Sequence, residues 1–279
     1  MNWFIGVVVA IVAGILTVQA VLAWRWPPDR RRILVGSFAG SRSLVLDAEA
    51  AALAERLLIA GRKGRFLGAV AAVAGMLGAW LVVGSMSGLV ASTAFIVASN
   101  AGSQVAATVA SALAMGRAAR HDAGEGARYA HLPPTSLDDL LPPLMRWWSA
   151  GMLGLAAVGI ATCLVAGVDV APLGRRELVV GLVIGAAAVV GTEVAARFLA
   201  SAPLPARSPA SLAVCDEIRS DLASVVVAGM IGPMFLCIFV AGRILPEAGA
   251  AAGLLLVLPI AMMEGQRRRR VRERLWAGS

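Results

Sequence analysis

The chain has 279 residues, of which 59% are hydrophobic and 15% charged, with a formal net charge of +8. Soluble domains carry about 25% charged residues, so the polar material is too sparse to coat a water-soluble surface. That argues against an ordinary soluble enzyme or a nucleic-acid-binding domain. The composition predicts an all-α polytopic membrane protein, because a helix satisfies its backbone hydrogen bonds within its own segment when surrounded by lipid.

A hydrocarbon layer about 30 Å thick takes roughly 20 helical residues to cross. Seven apolar runs reach or approach that length: 3–24, 66–84, 88–115, 149–167, 178–200, 222–242 and 248–264. The first lacks a side-chain cation before it, exceeds a leader's apolar core and is followed by Arg25 and Arg30 to Arg32. It is therefore expected to be a retained anchor. Trp3, Trp24, Trp26, Trp80, Trp147 and Trp148 fall near the ends of these runs, where an amphipathic indole is favoured.

In the connection 25–65, Leu46, Ala50, Leu53, Leu57 and Ala60 recur at helical spacing. They predict an amphipathic helix over 43–60, lying on the membrane surface or under the bundle. Within 88–115, Thr93, Asn100, Gln104, Thr108 and Ser111 form a polar stripe. Such a stripe must face other helices or water, as interhelical hydrogen bonding or as the lining of a path.

The connection 116–148 holds Gly124, Gly126, Pro133, Pro134, Pro142 and Pro143. It reads as a loop with one short helix near Ser136–Leu141. His121 and His131, both in this loop, lack metal-ligand spacing, so no metal is expected. Glu193 and Arg197, four residues apart near the end of 178–200, are expected to pair along one helix face. The long arginine would carry the pair toward the headgroups.

The connection 201–221 begins with Pro203, Pro205 and Pro209, and a helix is expected from Ser211 as its N-cap. Pro233 follows Gly232 within 222–242 and predicts a kink; Pro259 lies in the last run. The pairs Gly64/Gly68, Gly84/Gly88, Gly181/Gly185 and Gly249/Gly253 have the spacing that lets helices approach closely. Cys163 and Cys237 fall in apolar runs and Cys215 in a polar connection, with no framework of disulfides implied.

The string Ala-Gly-Met-Leu/Ile-Gly recurs at 74–78, 150–154 and 228–232. Its near-equal spacing suggests one lead-in helix followed by three related hairpins. If the loops alternate sides, three basic residues (Arg175, Arg176 and Arg243) lie on one side, and the other 22 of the 25 lie opposite. The positive-inside rule then places the N-terminus outside and connections 25–65, 116–148 and 201–221 in the cytoplasm. The basic tail 265–279 joins them there, suited to anionic lipid.

No catalytic constellation, nucleotide loop or cofactor fingerprint is present in the sequence; an enzyme and a nucleic-acid partner are not expected. The leading expectation is a transport-related protein of the cell membrane, either a permease-like bundle or a transporter's membrane subunit. Asn100, Gln104, Thr108, Glu193 and Arg197 are its candidate pathway or interhelical residues, with Pro233 as the kink. The alternative is a membrane scaffold or regulatory subunit that binds protein partners on the cytoplasmic side.

Overall fold

A charged, proline-led segment that the spacing of apolar residues leaves unassigned opens the visible fold as a helix. The computed structural model describes residues 27–83, 88–123, 143–167, 175–205, 208–220 and 222–244. The expected runs 3–24 and 248–264, the tail 265–279 and most of the connection 116–148 lie outside these residues. Every described element is an α-helix: α1 Pro28–Arg42, α2 Ala48–Val83, α3 Gly88–Ala123, α4 Pro143–Ala166, α5 Arg175–Ala200, α6 Pro209–Ser220 and α7 Leu222–Ile244.

Pro28 occupies the first turn of α1, where its missing N–H is one that the helix would leave unpaired anyway. Asp29 in the first turn and Arg42 in the last complement the helix dipole. The helix stops where Ser43 turns left-handed at φ 54°. There Leu44 N–H donates to the Ala39 carbonyl at 3.0 Å and Ser43 N–H to that of Gly40 at 3.4 Å. These two bonds satisfy the end carbonyls in a Schellman arrangement.

Asp47 then caps α2. Its Oδ1 accepts from Ala50 N–H at 2.6 Å, and its carbonyl accepts the first helical bond, from Ala51 N–H. The expected surface helix over 43–60 and the expected run 66–84 are one continuous rod. The interval Gly61-Arg62-Lys63-Gly64-Arg65 lacks a proline, and its two glycines are held by close packing on α3. A carbon placed at Gly64 Cβ would come 2.7 Å from Ala110 Cβ, and one at Gly68 would overlap the Gly102 carbonyl. The Gly64/Gly68 pair is thus the seam along which α2 and α3 lie side by side.

α3 runs to Ala123, beyond the expected end at 115, because Ala118 and Ala119 continue a good helix former and Ala118 is buried. His121 therefore sits in the last turn of α3 rather than in a loop. α4 likewise begins at Pro143, ahead of the apolar run. α5 and α7 follow their runs closely and remain continuous, Pro233 included. The Pro233 ring is buried and packs on Gly185 of α5, whose Cβ position is 3.5 Å from Pro233 Cδ.

α5 is packed between α3 and α7, and α4 takes α7 as its main partner while touching α5 only lightly. The recurrent strings meet unlike surroundings: Gly75 and Gly151 face open space, whereas Gly229 lies tight under Thr192. Met152 and Met230 are both buried.

The helix expected from Ser211 starts one turn earlier. Ser208 is the cap: Leu212 N–H donates to its carbonyl and Ser211 N–H to its Oγ at 3.2 Å. Ser208 N–H in turn donates to Ser211 Oγ at 2.9 Å. This is a capping box with serine in the place usually held by glutamate, and Pro209 fills the first helical position.

The main core gathers Phe38, Leu57, Met115, Leu199, Val214 and Met230 at the end of the bundle rich in arginine. Smaller clusters around Ile160, Leu178 and Val240, and around Met152 and Cys237, join α4, α5 and α7. Trp147–Ala166 and Glu177–Ala200 are long and apolar enough to cross a membrane, and only 28% of the apolar stretch of each is buried. Their uncovered faces carry Leu155, Val158, Val165, Val183, Val190 and Val194. Exposed apolar residues along two such helices are consistent with membrane association.

Candidate functional site: a cationic cavity at the basic end

Between α1, α2, α3 and the ends of α5, α6 and α7 lies a cavity of about 310 Å³. Three arginines border it: Arg42 from α1, and Arg62 and Arg65 from α2. Ser37 and Ser41, one turn apart on α1, and Thr108 and Ser111 on α3 add four hydroxyls; Gln104 adds an amide. Among the described residues the lining contains no carboxylate. Leu34, Leu57, Leu58, Leu199 and Val225 make the apolar part of the wall.

Arg42 is held in place before any ligand arrives. Its Nη1 donates to the Glu217 carbonyl at 3.1 Å and to the Glu217 carboxylate, and its guanidinium stacks 4.8 Å from the Phe38 ring centre. An arginine tied through one nitrogen and stacked on a ring loses less freedom on binding than a loose one. Burial, then the neighbouring charge of Arg65, pulls the Arg62 guanidinium below its ordinary value. Two like charges are thus set on adjoining turns of one face. Gly61 packs closely on α3 beside them: its Cβ position lies 3.0 Å from Ser111 Oγ.

Polar bonds also fasten α6 beneath the cavity. Ser208 Oγ donates to Asp47 Oδ2 at 3.0 Å, and Arg219, 2% exposed, donates to the Ala202 carbonyl. Burial lowers the Arg219 pKa, opposed by Cys215 and Asp216. The Cys215 thiol, expected in an open connection, is fully buried in α6. Burial pushes its pKa up to about 12, which leaves a protonated, unreactive thiol.

The sequence-predicted residues divide. Gln104, Thr108 and Ser111 border the cavity, whereas Asn100, a turn beyond Gln104, does not. Thr108 Oγ1 donates to the Gln104 carbonyl at 2.8 Å and Ser103 Oγ to that of Asn100, so part of the stripe is satisfied within α3. Glu193 and Arg197 form the expected i, i+4 pair, with Arg197 Nη2 donating to Glu193 Oε1 at 3.0 Å. They stand on the uncovered side of α5, apart from the cavity. Pro233 serves the α5–α7 contact.

Ser37, Ser41, Arg42, Arg62 and Arg65 were not singled out as a group by sequence. The i, i+4 serines and i, i+3 arginines were legible as local pairs, but their meeting depends on the reversal at Ser43. No family model, curated protein or solved structure matches this chain.

Proposed function

We propose that the chain is a seven-span cell-membrane protein of the transport-related kind, a permease-like bundle or a transporter's membrane subunit. The cavity at its basic end serves as the inner ligand site. The observation that carries this reading is that Gln104, Thr108 and Ser111 of the α3 polar stripe border the same cavity as three arginines. An arginine-lined hollow next to a polar helix face suits reception of a small anion from the cytoplasmic side. The uncovered apolar faces of α4 and α5 support the membrane setting. The excess of arginine at one end supports an N-terminus outside and a C-terminus inside.

A second reading, a membrane scaffold or regulatory subunit, is favoured by one arrangement. Asn100 and Glu193 stand apart from the cavity, and α1 and α6 are fastened to the bundle by Arg42–Glu217 and Asp47–Ser208. That builds a firm platform for a protein partner.

Reconstitution separates the two. Liposomes holding the purified chain are expected to exchange one of a panel of labelled anions (phosphate, sulfate, acetate, glutamate). Gln104→Leu should slow that exchange about tenfold, as expected when a hydrogen-bonding group on a path is lost. An absence of exchange for every anion, with a cytoplasmic protein co-purifying in fixed ratio, would transfer the assignment to the scaffold.

A further inference from the structure

We infer that the phospholipid leaflet at the basic end stops at one level on the bundle, marked by Arg65 of α2 and Arg197 of α5, and that the helical layer beyond that level stands in water. The inference rests on the proposed membrane setting, but on neither transport nor orientation.

Two helices change character within a single turn. On α2, Arg56 and Arg65 are exposed; from the next turn onward the large exposed side chains are Leu67 and Val70. On α5, Val183, Val190 and Val194 form an open stripe, each at least 60% exposed. The next side chain on that stripe is Arg197, itself 62% exposed. Arginine at the edge of an apolar stretch is what a headgroup layer selects.

The two changes fall at the same height, because α3 packs on both helices and serves as a ruler. The Cβ position of Gly64 on α2 lies 2.7 Å from Ala110 Cβ on α3. Further along, the Cβ position of Gly191 on α5 lies 3.6 Å from Val105, and that of Gly116 on α3 lies 3.9 Å from Pro203. α3 and α5 therefore run the same way, and Ala110, five residues past Val105, is level with Ala196, five past Gly191. Arg65 and Arg197 each follow directly on that level. On α4, Trp148 packs on both the basic-end core and the cluster around Met152, so the helix passes the junction of the two there.

The apolar faces lie on opposite flanks. α2 packs on α3, α3 on α5 and α7, and these on α4, whose exposed side chains include Leu155, Val158 and Val165. One protein partner would cover one flank, whereas acyl chains cover all of them. The exposed Thr162 of α4 donates its hydroxyl to the Val158 carbonyl at 2.9 Å, which satisfies it within its own helix as an apolar surrounding demands.

Beyond the level the pattern reverses. From Arg65 back to Ala48, α2 extends about 25 Å at about 1.5 Å per residue. The largest core lies along this stretch, with Phe38, Leu53, Leu57, Met115 and Val214 inside. Arg30, Arg32, Arg56, Arg117, Arg120 and Asp216 are exposed around it, and Ile33 is a solitary apolar side chain among them. Apolar inside and charged outside is the build of a layer in water. The helix expected to lie on the membrane surface over 43–60 thus projects away from it.

The test uses the full chain in nanodiscs of phosphatidylcholine and phosphatidylglycerol. Cys163, Cys215 and Cys237 are buried, so a nitroxide label goes to one introduced thiol, in Ile33→Cys, Arg56→Cys, Val70→Cys or Val190→Cys. The wild-type chain taken through the same labelling gives the background. Electron paramagnetic resonance then measures collisions with oxygen, which dissolves among acyl chains, and with a water-soluble nickel chelate. The oxygen-to-nickel ratio should be several-fold higher at positions 70 and 190 than at 33 and 56. Leu67→Cys and Val194→Cys replace a variant that does not fold. Lipid-like ratios at 33 and 56 as well would overturn the inference and leave the membrane setting intact. Nickel access at every position would overturn both. Shielding of 70 and 190 from both probes would mean that a second copy or another protein segment covers those faces, and the inference would fall.

Discussion

Asp47 shows how one side chain fixes the layer that supports the cavity. Its carboxylate caps α2 through Ala50 N–H and reaches Ser208 at the start of α6. The Ala50 amide, then the Ser208 hydroxyl, hold its pKa below the ordinary 3.8. A depressed acid stabilises the fold above its unfolded value and loses that contribution as pH falls through its folded value. Melting temperature is therefore expected to fall below about pH 4, and Asp47→Asn should flatten that acid limb; an unchanged limb would count against the cap.

Cys215 gives a second residue-scale expectation. Buried and raised to about 12, it should resist maleimide at neutral pH in the folded protein and react once SDS unfolds the chain. Rapid labelling of the native protein would place α6 elsewhere. Sequence showed neither behaviour: Cys215 read as an open-loop thiol, because the burial of α6 comes from helices far away in the chain.

At the scale of elements, the seam between α2 and α3 carries the most weight. Gly64, Gly68 and Gly102 bring two 36-residue helices into backbone contact, a close approach that dispersion rewards. Gly68→Leu would drive a branched side chain into the Gly102 backbone and should destabilise by about 3 kcal/mol or more. Gly75→Ala lies on the same helix with open space beyond it. It should be neutral or stabilising by up to about 1 kcal/mol, since alanine is the better helix former. Melting the two variants side by side checks the seam, and equal behaviour would refute it.

The spacing of Gly64 and Gly68 was readable in the sequence; which helix they meet was not. Helix ends were the weaker part of the reading. α5 and α7 track their apolar runs, but α1 is too polar for a hydropathy signal, and α2 joins two expected segments because nothing between them breaks a helix. Ser208, rather than Ser211, caps α6 because reciprocal serine bonds and Pro209 favour the earlier start.

Across the whole molecule, two surfaces point in opposite chemical directions. The outer faces of α4 and α5 are apolar where a soluble protein would be charged, while arginine, ion pairs and the largest core crowd one end. Hydropathy and charge asymmetry carried that contrast in the sequence. The cavity did not show there, because its donors come from α1, α2 and α3 and converge only through the reversal at Ser43 and the seam between α2 and α3. In the proposed orientation the basic end lies in the cytoplasm.

Val45 offers the most direct test, being 91% exposed in the link between α1 and α2, while Cys163, Cys215 and Cys237 are all buried. In cells producing the full chain with Val45→Cys, a membrane-impermeant maleimide should fail to label intact cells and should label strongly after permeabilisation. Labelling of intact cells would contradict the orientation and the membrane-spanning bundle on which it depends.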